Sequence, residues 1–121
     1  MTDRRQREEP EHGDDLIRAL AALASPHRLR IVARLVEGSV HVSELAREVG
    51  LSRPLVHMHL KRLEAAGLVT GRLELSGDGK AMKFFEVTPF AIELTPERVL
   101  RAAATLTPES SADIETEEEN R

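Results

Sequence analysis

The sequence predicts an α+β domain, mainly helical with one β-hairpin, and three observations lead there. Apolar residues recur at helical spacing in separate segments between residues 16 and 106. Most of these segments open on a Ser or Thr cap or close on a glycine. Between residues 69 and 87 the period changes to two, around the turn Ser76-Gly-Asp-Gly79. With 121 residues there is room for one domain.

Each element follows in order. Residues 1–14 lack apolar periodicity and are rich in Arg and Glu, so a disordered arm is expected. Leu16, Ile17, Leu20, Leu23 and Ala24 give a first helix. Ser25-Pro26 reads as a cap followed by proline at the first helical position. The helix it opens carries Leu29, Ile31, Val32, Leu35 and Val36, and Gly38 ends it. A short helix from Glu44 to Val49 comes next, with Ser43 as its expected cap and Gly50 as its stop. Ser52 caps a longer helix from Arg53 to Ala66, which stops at Gly67. Two helices joined by a short glycine-containing turn, the second longer, make a helix-turn-helix. Arg72-Leu73-Glu74-Leu75 alternates polar and apolar, and Met82 to Val87 returns as the second strand. Thr95-Pro96 opens a last helix with Val99, Leu100, Ala103 and Leu106 on one stripe. From 108 to 121 the chain is acidic and, apart from Ile114, without large apolar residues, so a disordered tail is expected. The order is α-α-α-α-β-β-α. A hairpin directly after a helix-turn-helix is a wing, and the expectation is a winged helix-turn-helix over residues 15–107.

Composition narrows the chemistry. Cysteine is absent, which removes disulfides, thiolate metal sites and a cysteine nucleophile. No nucleophile–base pair or phosphate loop is apparent, so an enzyme is not expected. The longest plainly apolar run near the start, Ala19 to Ala24, is too short to span a membrane. The charged opening residues do not resemble a signal peptide, and a cytoplasmic protein is expected. The net charge of −4 hides a division. Residues 1–15 carry three basic and six acidic side chains, and residues 107–121 carry one and six. Residues 16–106 carry thirteen and nine, so the middle is basic between acidic ends.

The helix after the turn contains two histidines, His57 and His59, one residue apart. Successive helical residues lie about 100° apart, so these two point roughly 200° apart and cannot chelate one metal ion. Val56, Leu60 and Leu63 form the buried stripe, and His59 flanks it as an expected core histidine. His57 belongs to the other side with Arg53, Pro54, Met58 and Lys61. Between Val49 and Leu63 there is no acidic side chain, while Arg53, Lys61 and Arg62 are basic. Such a face suits phosphate contact and base reading in the major groove. Ser52 and Arg53 add the helix N-terminus, Arg53 suits a guanine edge, and Lys61 and Arg62 suit the backbone. In the wing, Arg72, Lys80 and Lys83 are candidates for adjacent phosphates or the minor groove. Double-stranded DNA is the expected partner. The alternative is a winged-helix protein-interaction module without DNA binding.

Residues 23–31 (Leu-Ala-Ser-Pro-His-Arg-Leu-Arg-Ile), 43–52 (Ser-Glu-Leu-Ala-Arg-Glu-Val-Gly-Leu-Ser) and 59–69 (His-Leu-Lys-Arg-Leu-Glu-Ala-Ala-Gly-Leu-Val), with Gly71-Arg72 after them, carry a resemblance. Over roughly residues 16–106 the chain resembles the arsenic-repressor (ArsR/SmtB) type of winged-helix regulators. That resemblance implies a homodimer paired through its first and last helices. The near-apolar first helix and Ala102-Ala-Ala104 agree, since such helices in a small chain call for a partner surface. The interface residues implied are Leu16, Ile17, Leu20, Leu23, Val99, Leu100, Ala103 and Leu106. Many members carry a small hydroxyl residue where this chain has His57, and at that position the resemblance does not carry over the operator contacts.

Many relatives of this type sense metals. One of their sites reads Glu-Leu-Cys-Val-Cys-Asp-Leu, where this chain has Ser39-Val-His-Val-Ser-Glu-Leu45. Both thiolates are gone, and His41 stands at the first. A second site needs histidines on the last helix, and none follows His59. What is left is His41 joined by His12, Asp14 or Asp15, a set suited to nickel or zinc. Without a metal, regulation would come through another ligand, an effector protein or simple abundance, with the acidic tail contacting a partner or competing with DNA for the basic face.

Overall fold

A computed structural model describes residues 12–108. The elements run α1 (Gly13–Leu23), α2 (Pro26–Val36), β1 (Val40–His41), α3 (Val42–Val49), α4 (Arg53–Ala65), β2 (Val69–Leu75), β3 (Ala81–Val87) and α5 (Pro96–Ala103). The mainly helical fold with a hairpin wing stands, but the expected order lacked a strand. β1 pairs antiparallel with β3, Val40 opposite Phe85 and His41 opposite Phe84, so the sheet order is β1-β3-β2. Two residues are too few for an alternation to show in the sequence.

The predicted caps at Ser25, Ser52 and Thr95 form, accepting the N–H of Arg28 (3.3 Å), Leu55 (3.3 Å) and Arg98 (3.1 Å). The cap expected at Ser43 does not. α3 starts at Val42, and its N-cap is His41, whose Nδ1 accepts the Glu44 N–H at 3.3 Å. The physical reason lies in β1: pairing with β3 holds His41 extended (φ −86°, ψ 163°), the backbone an N-cap needs, and Val42 is then buried at the first helical position. α3 closes on Gly50 at φ 74°, and the chain leaving α4 turns at Gly67 with φ 78°; both are left-handed positions where a Cβ would be strained.

The described residues form two compact units, one of residues 19–89 and one of residues 12–18 with 90–108. In the first, Ile31, Leu35, Leu45, Val56, Leu60 and Leu63 are each less than 2% exposed, and Phe85 of β3 closes the core. Burying each such side chain stabilises by roughly 1.5–3 kcal/mol. The helix-turn-helix therefore sits on a dry aliphatic base. In the second unit α1 begins at Gly13, ahead of the expected Leu16. Thr105 Oγ1 accepts the Gly13 N–H at 2.7 Å, and Asp14 Oδ1 accepts the Thr107 N–H at 3.1 Å. These contacts satisfy backbone groups that a bare arm would leave to water. The rest of the expected arm (1–11) and of the tail (109–121) lies outside the described residues. Among the described residues no helix is long and apolar enough to cross a membrane.

Candidate nucleic-acid interface

α4 divides by face as its spacing requires. Val56, His59, Leu60 and Leu63 are buried, while Arg53, Pro54, His57, Met58, Lys61 and Arg62 are exposed. The open face is free of carboxylates as far as Leu63, and Glu64 follows. Arg53 Nη1 donates to Ser43 Oγ at 2.8 Å, so the residue expected to cap α3 instead braces the first side chain of α4. The rest of the guanidinium fork stays available.

The register of the hairpin sorts the wing. On one face Gly71 lies opposite Phe85, Leu73 opposite Lys83 and Leu75 opposite Ala81. On the other, Arg72 lies opposite Phe84 and Glu74 opposite Met82. Lys83 Nζ stands 5.5 Å from the centre of the Phe85 ring, and both side chains line a cleft of about 420 Å³ with Pro54, His57, Met58, Leu60 and Lys61, and with the acidic Glu64 at the far end of α4. Gly71 makes this possible, since a Cβ there would meet Phe85 Cε2 at 2.8 Å and Lys83 Cε at 2.9 Å. The structure thus brings Lys83 together with α4 and leaves Arg72 on the opposite face. There Arg72 bonds Glu74 Oε2 at 2.7 Å and Glu86 Oε1 at 2.9 Å. Hydrogen bonds to Glu74, then Glu86, raise its already high pKa, and its charge is largely matched. Lys80, at the end of the wing turn, is exposed. Leu73 and Leu75, 69% and 76% exposed, extend the Lys83 face toward the turn. Sequence reading missed these leucines as surface features, although their alternation was visible.

The candidate metal ligands are placed differently. His41 uses Nδ1 for the α3 cap, and its ring stands edge-on to Phe84 with centroids 5.5 Å apart. His12 Nδ1 accepts the Asp14 N–H at 3.1 Å. Among the described residues no three His, Asp or Glu side chains gather as a metal ion would need.

His59 is a core histidine, 7% exposed, with Nδ1 3.0 Å from Arg28 Nη1. Burial first, then the charges of Arg28, His27 and Arg62, hold its pKa below the usual histidine value. Arg28 was not singled out from the sequence. The signal that could have found it is its place in the first turn behind the Ser25-Pro26 cap, where a long side chain reaches back over the end of α1.

Of the proposed interface residues, Leu16 is buried, and Ile17, Leu20, Leu23 and Leu106 are partly buried. Val99, Leu100 and Ala103 are exposed.

An uncharacterised HTH-type transcriptional regulator of Methanocaldococcus jannaschii is 35% identical over 83 residues, covering 69% of this chain and 86% of that protein. An HTH-type transcriptional regulator of Mycobacterium tuberculosis is 51% identical over 55 residues, 46% of this chain and 51% of its own length. Among solved structures, a homodimeric winged helix-turn-helix DNA-binding domain from Mycobacterium bovis superposes with a TM-score of 0.55 at 26% identity, over 75% of this chain and 73% of that one. The family described as bacterial regulatory proteins of the arsR family matches residues 25–70, the stretch from the α2 cap through the helix-turn-helix into the wing. With that family's segment in place and its fold around it, the chain belongs to the arsR family of bacterial transcriptional regulators.

Proposed function

We propose that the chain is a homodimeric, sequence-specific DNA-binding regulator that lays α4 in the major groove and its wing against the flanking backbone. The observation that carries this reading is the exposed, acid-free face of α4 from Arg53 to Arg62, set above a buried stripe. The Arg53 N–H and the dipole of the helix N-terminus face a phosphate, since Pro54 carries no N–H and the Ser52 cap takes that of Leu55. Arg53 reads a guanine edge with Pro54 beside it, and His57 contacts a base or phosphate. Lys61 and Arg62 reach the backbone a turn later. Lys80 and Lys83 carry the basic surface onto the wing, with Arg72, matched by Glu74 and Glu86, contributing less charge.

The homodimer is supported by the exposed apolar residues of α5, Val99 at 50% and Leu100 at 73%. With Ala103 and the partly buried Leu106, Ile17, Leu20 and Leu23, they form the proposed dimer face, which Leu16, buried within the protomer, backs from inside. The homodimeric Mycobacterium bovis domain supports the same assembly. A regulator of this kind works beside DNA in the cytoplasm. Selection from a randomised duplex pool at fixed salt tests the reading. The expected product carries two related half-sites centred about 10 base pairs apart, or a multiple. A pool that enriches no sequence would overturn it.

A further inference from the structure

Arg28 joins three helices through one side chain. The Ser25 cap fixes its backbone in the first turn of α2. Its Nε donates to Ala22 O at 2.6 Å and its Nη2 to Ala21 O at 3.4 Å, carbonyls in the last turn of α1, of which Ala21 O also accepts the Ala24 N–H at 3.2 Å. Its Nη1 lies 3.0 Å from His59 Nδ1 on α4. A guanidinium only donates, so His59 Nδ1 is the acceptor and its proton sits on Nε2. An arginine serving only to finish α1 would have no need of the third bond, and His59 would then be a buried polar ring without that partner.

We propose that Arg28, acting through His59, is a positioning residue that sets the recognition helix α4 on the end of α1 for reading DNA. The inference rests on the DNA-binding reading above. It adds a residue that touches no DNA but fixes the rotation of the helix that does, two positions from His57 and one from Leu60.

The contact also responds to protons. A proton on Nδ1 would turn the acceptor into a donor facing Arg28. The charged and titratable groups facing His59 are Arg28 and His27 from α2, the latter ring 5.5 Å away, and Arg62 from α4. All of them oppose a positive ring, as does burial, so the folded pKa is depressed. A depressed folded pKa means that the stabilisation is present above the unfolded value, near 6.5, and is lost as pH falls through the folded one. At neutral pH the clamp is closed.

The full chain serves for the test, with the duplex enriched by selection and an unrelated duplex as probes. In wild type, the nitrogen chemical shifts of the His59 ring are expected to report the Nε2–H tautomer, titrating below an ordinary histidine. Arg28→Met is expected to lower the preference for the selected duplex by about tenfold, the worth of one charge-assisted hydrogen bond. His59→Asn places a carbonyl oxygen where Nδ1 stands and cannot be protonated. It is expected to keep the neutral-pH preference and to lose the wild-type decline in acid. A His59 ring protonated on Nδ1 at neutral pH would overturn the clamp without reference to DNA. Should the tautomer be right and Arg28→Met still prefer the duplex as wild type does, or should His59→Asn decline in acid unchanged, the positioning role fails. If wild type binds neither duplex, the DNA reading falls and the positioning role with it, while the ring shifts still judge the Arg28–His59 bond.

Discussion

Gly13→Ala is the perturbation whose sign the structure inverts. Replacing a helical glycine by alanine ordinarily stabilises by up to about 1 kcal/mol. Here a Cβ on Gly13 would stand 2.1 Å from Ala102 O and 2.9 Å from Leu106 Cδ2. Carbon and oxygen atoms pack at no less than about 3.4 Å, so the α5 backbone must retreat by more than about 1 Å. That retreat breaks the Gly13 N–H···Thr105 Oγ1 bond and pulls at the Thr107 N–H···Asp14 Oδ1 bond. Two hydrogen bonds at about 1 kcal/mol each, with about 1–3 kcal/mol for overpacking, outweigh the helical gain. The net expectation is a loss of about 2–4 kcal/mol, or roughly 10–20 °C in melting temperature for a domain of this size. Circular dichroism melts at one fixed protein concentration measure it, and sedimentation under the same conditions reads the dimer that α1 and α5 are proposed to form. Gly77→Ala, where an added Cβ meets nothing within 4 Å, is the control. A Gly13→Ala protein melting at or above wild type would refute the packing of Gly13 on Ala102.

Arg53→Ala is expected to relax sequence preference at one base position by about 1–3 kcal/mol, whereas Lys80→Ala weakens all duplexes alike and reduces the salt slope by about one; anisotropy titrations across a salt series separate the two. Gly71→Ala is expected to cost about 1–3 kcal/mol in urea unfolding and to weaken duplex binding, because the new methyl displaces Lys83 from the buried Phe85 ring. His41→Ala is expected to cost about 1 kcal/mol through loss of the α3 cap, read in the same unfolding series.

What the sequence revealed was local. A Ser or Thr ahead of proline carries its own geometry, so the caps at Ser25 and Thr95 could be read without knowing the fold. The split of His57 from His59 needed only the helical period, and burial of Val56, Leu60 and Leu63 follows the same stripe. What was hidden needed a partner distant in the chain. His41 caps α3 only because β1 pairs with β3, more than forty residues on. Arg72 read as a free cation because Glu86, its second carboxylate, comes within reach only through the hairpin register. Glu74, two residues away on the same strand face, was the clue available. Arg28 looked like one more charge in a basic helix, since its three acceptors lie on two other helices.

The central claim is that the acid-free face of α4 reads DNA sequence. The most direct test measures affinity for the protein's own upstream region and for a shuffled duplex of equal length and composition, at several salt concentrations. Binding to both is expected to weaken steeply with salt, with the upstream region held at least about a thousandfold tighter at physiological salt. Equal affinity for the two duplexes, or no binding to either at low salt, would contradict it.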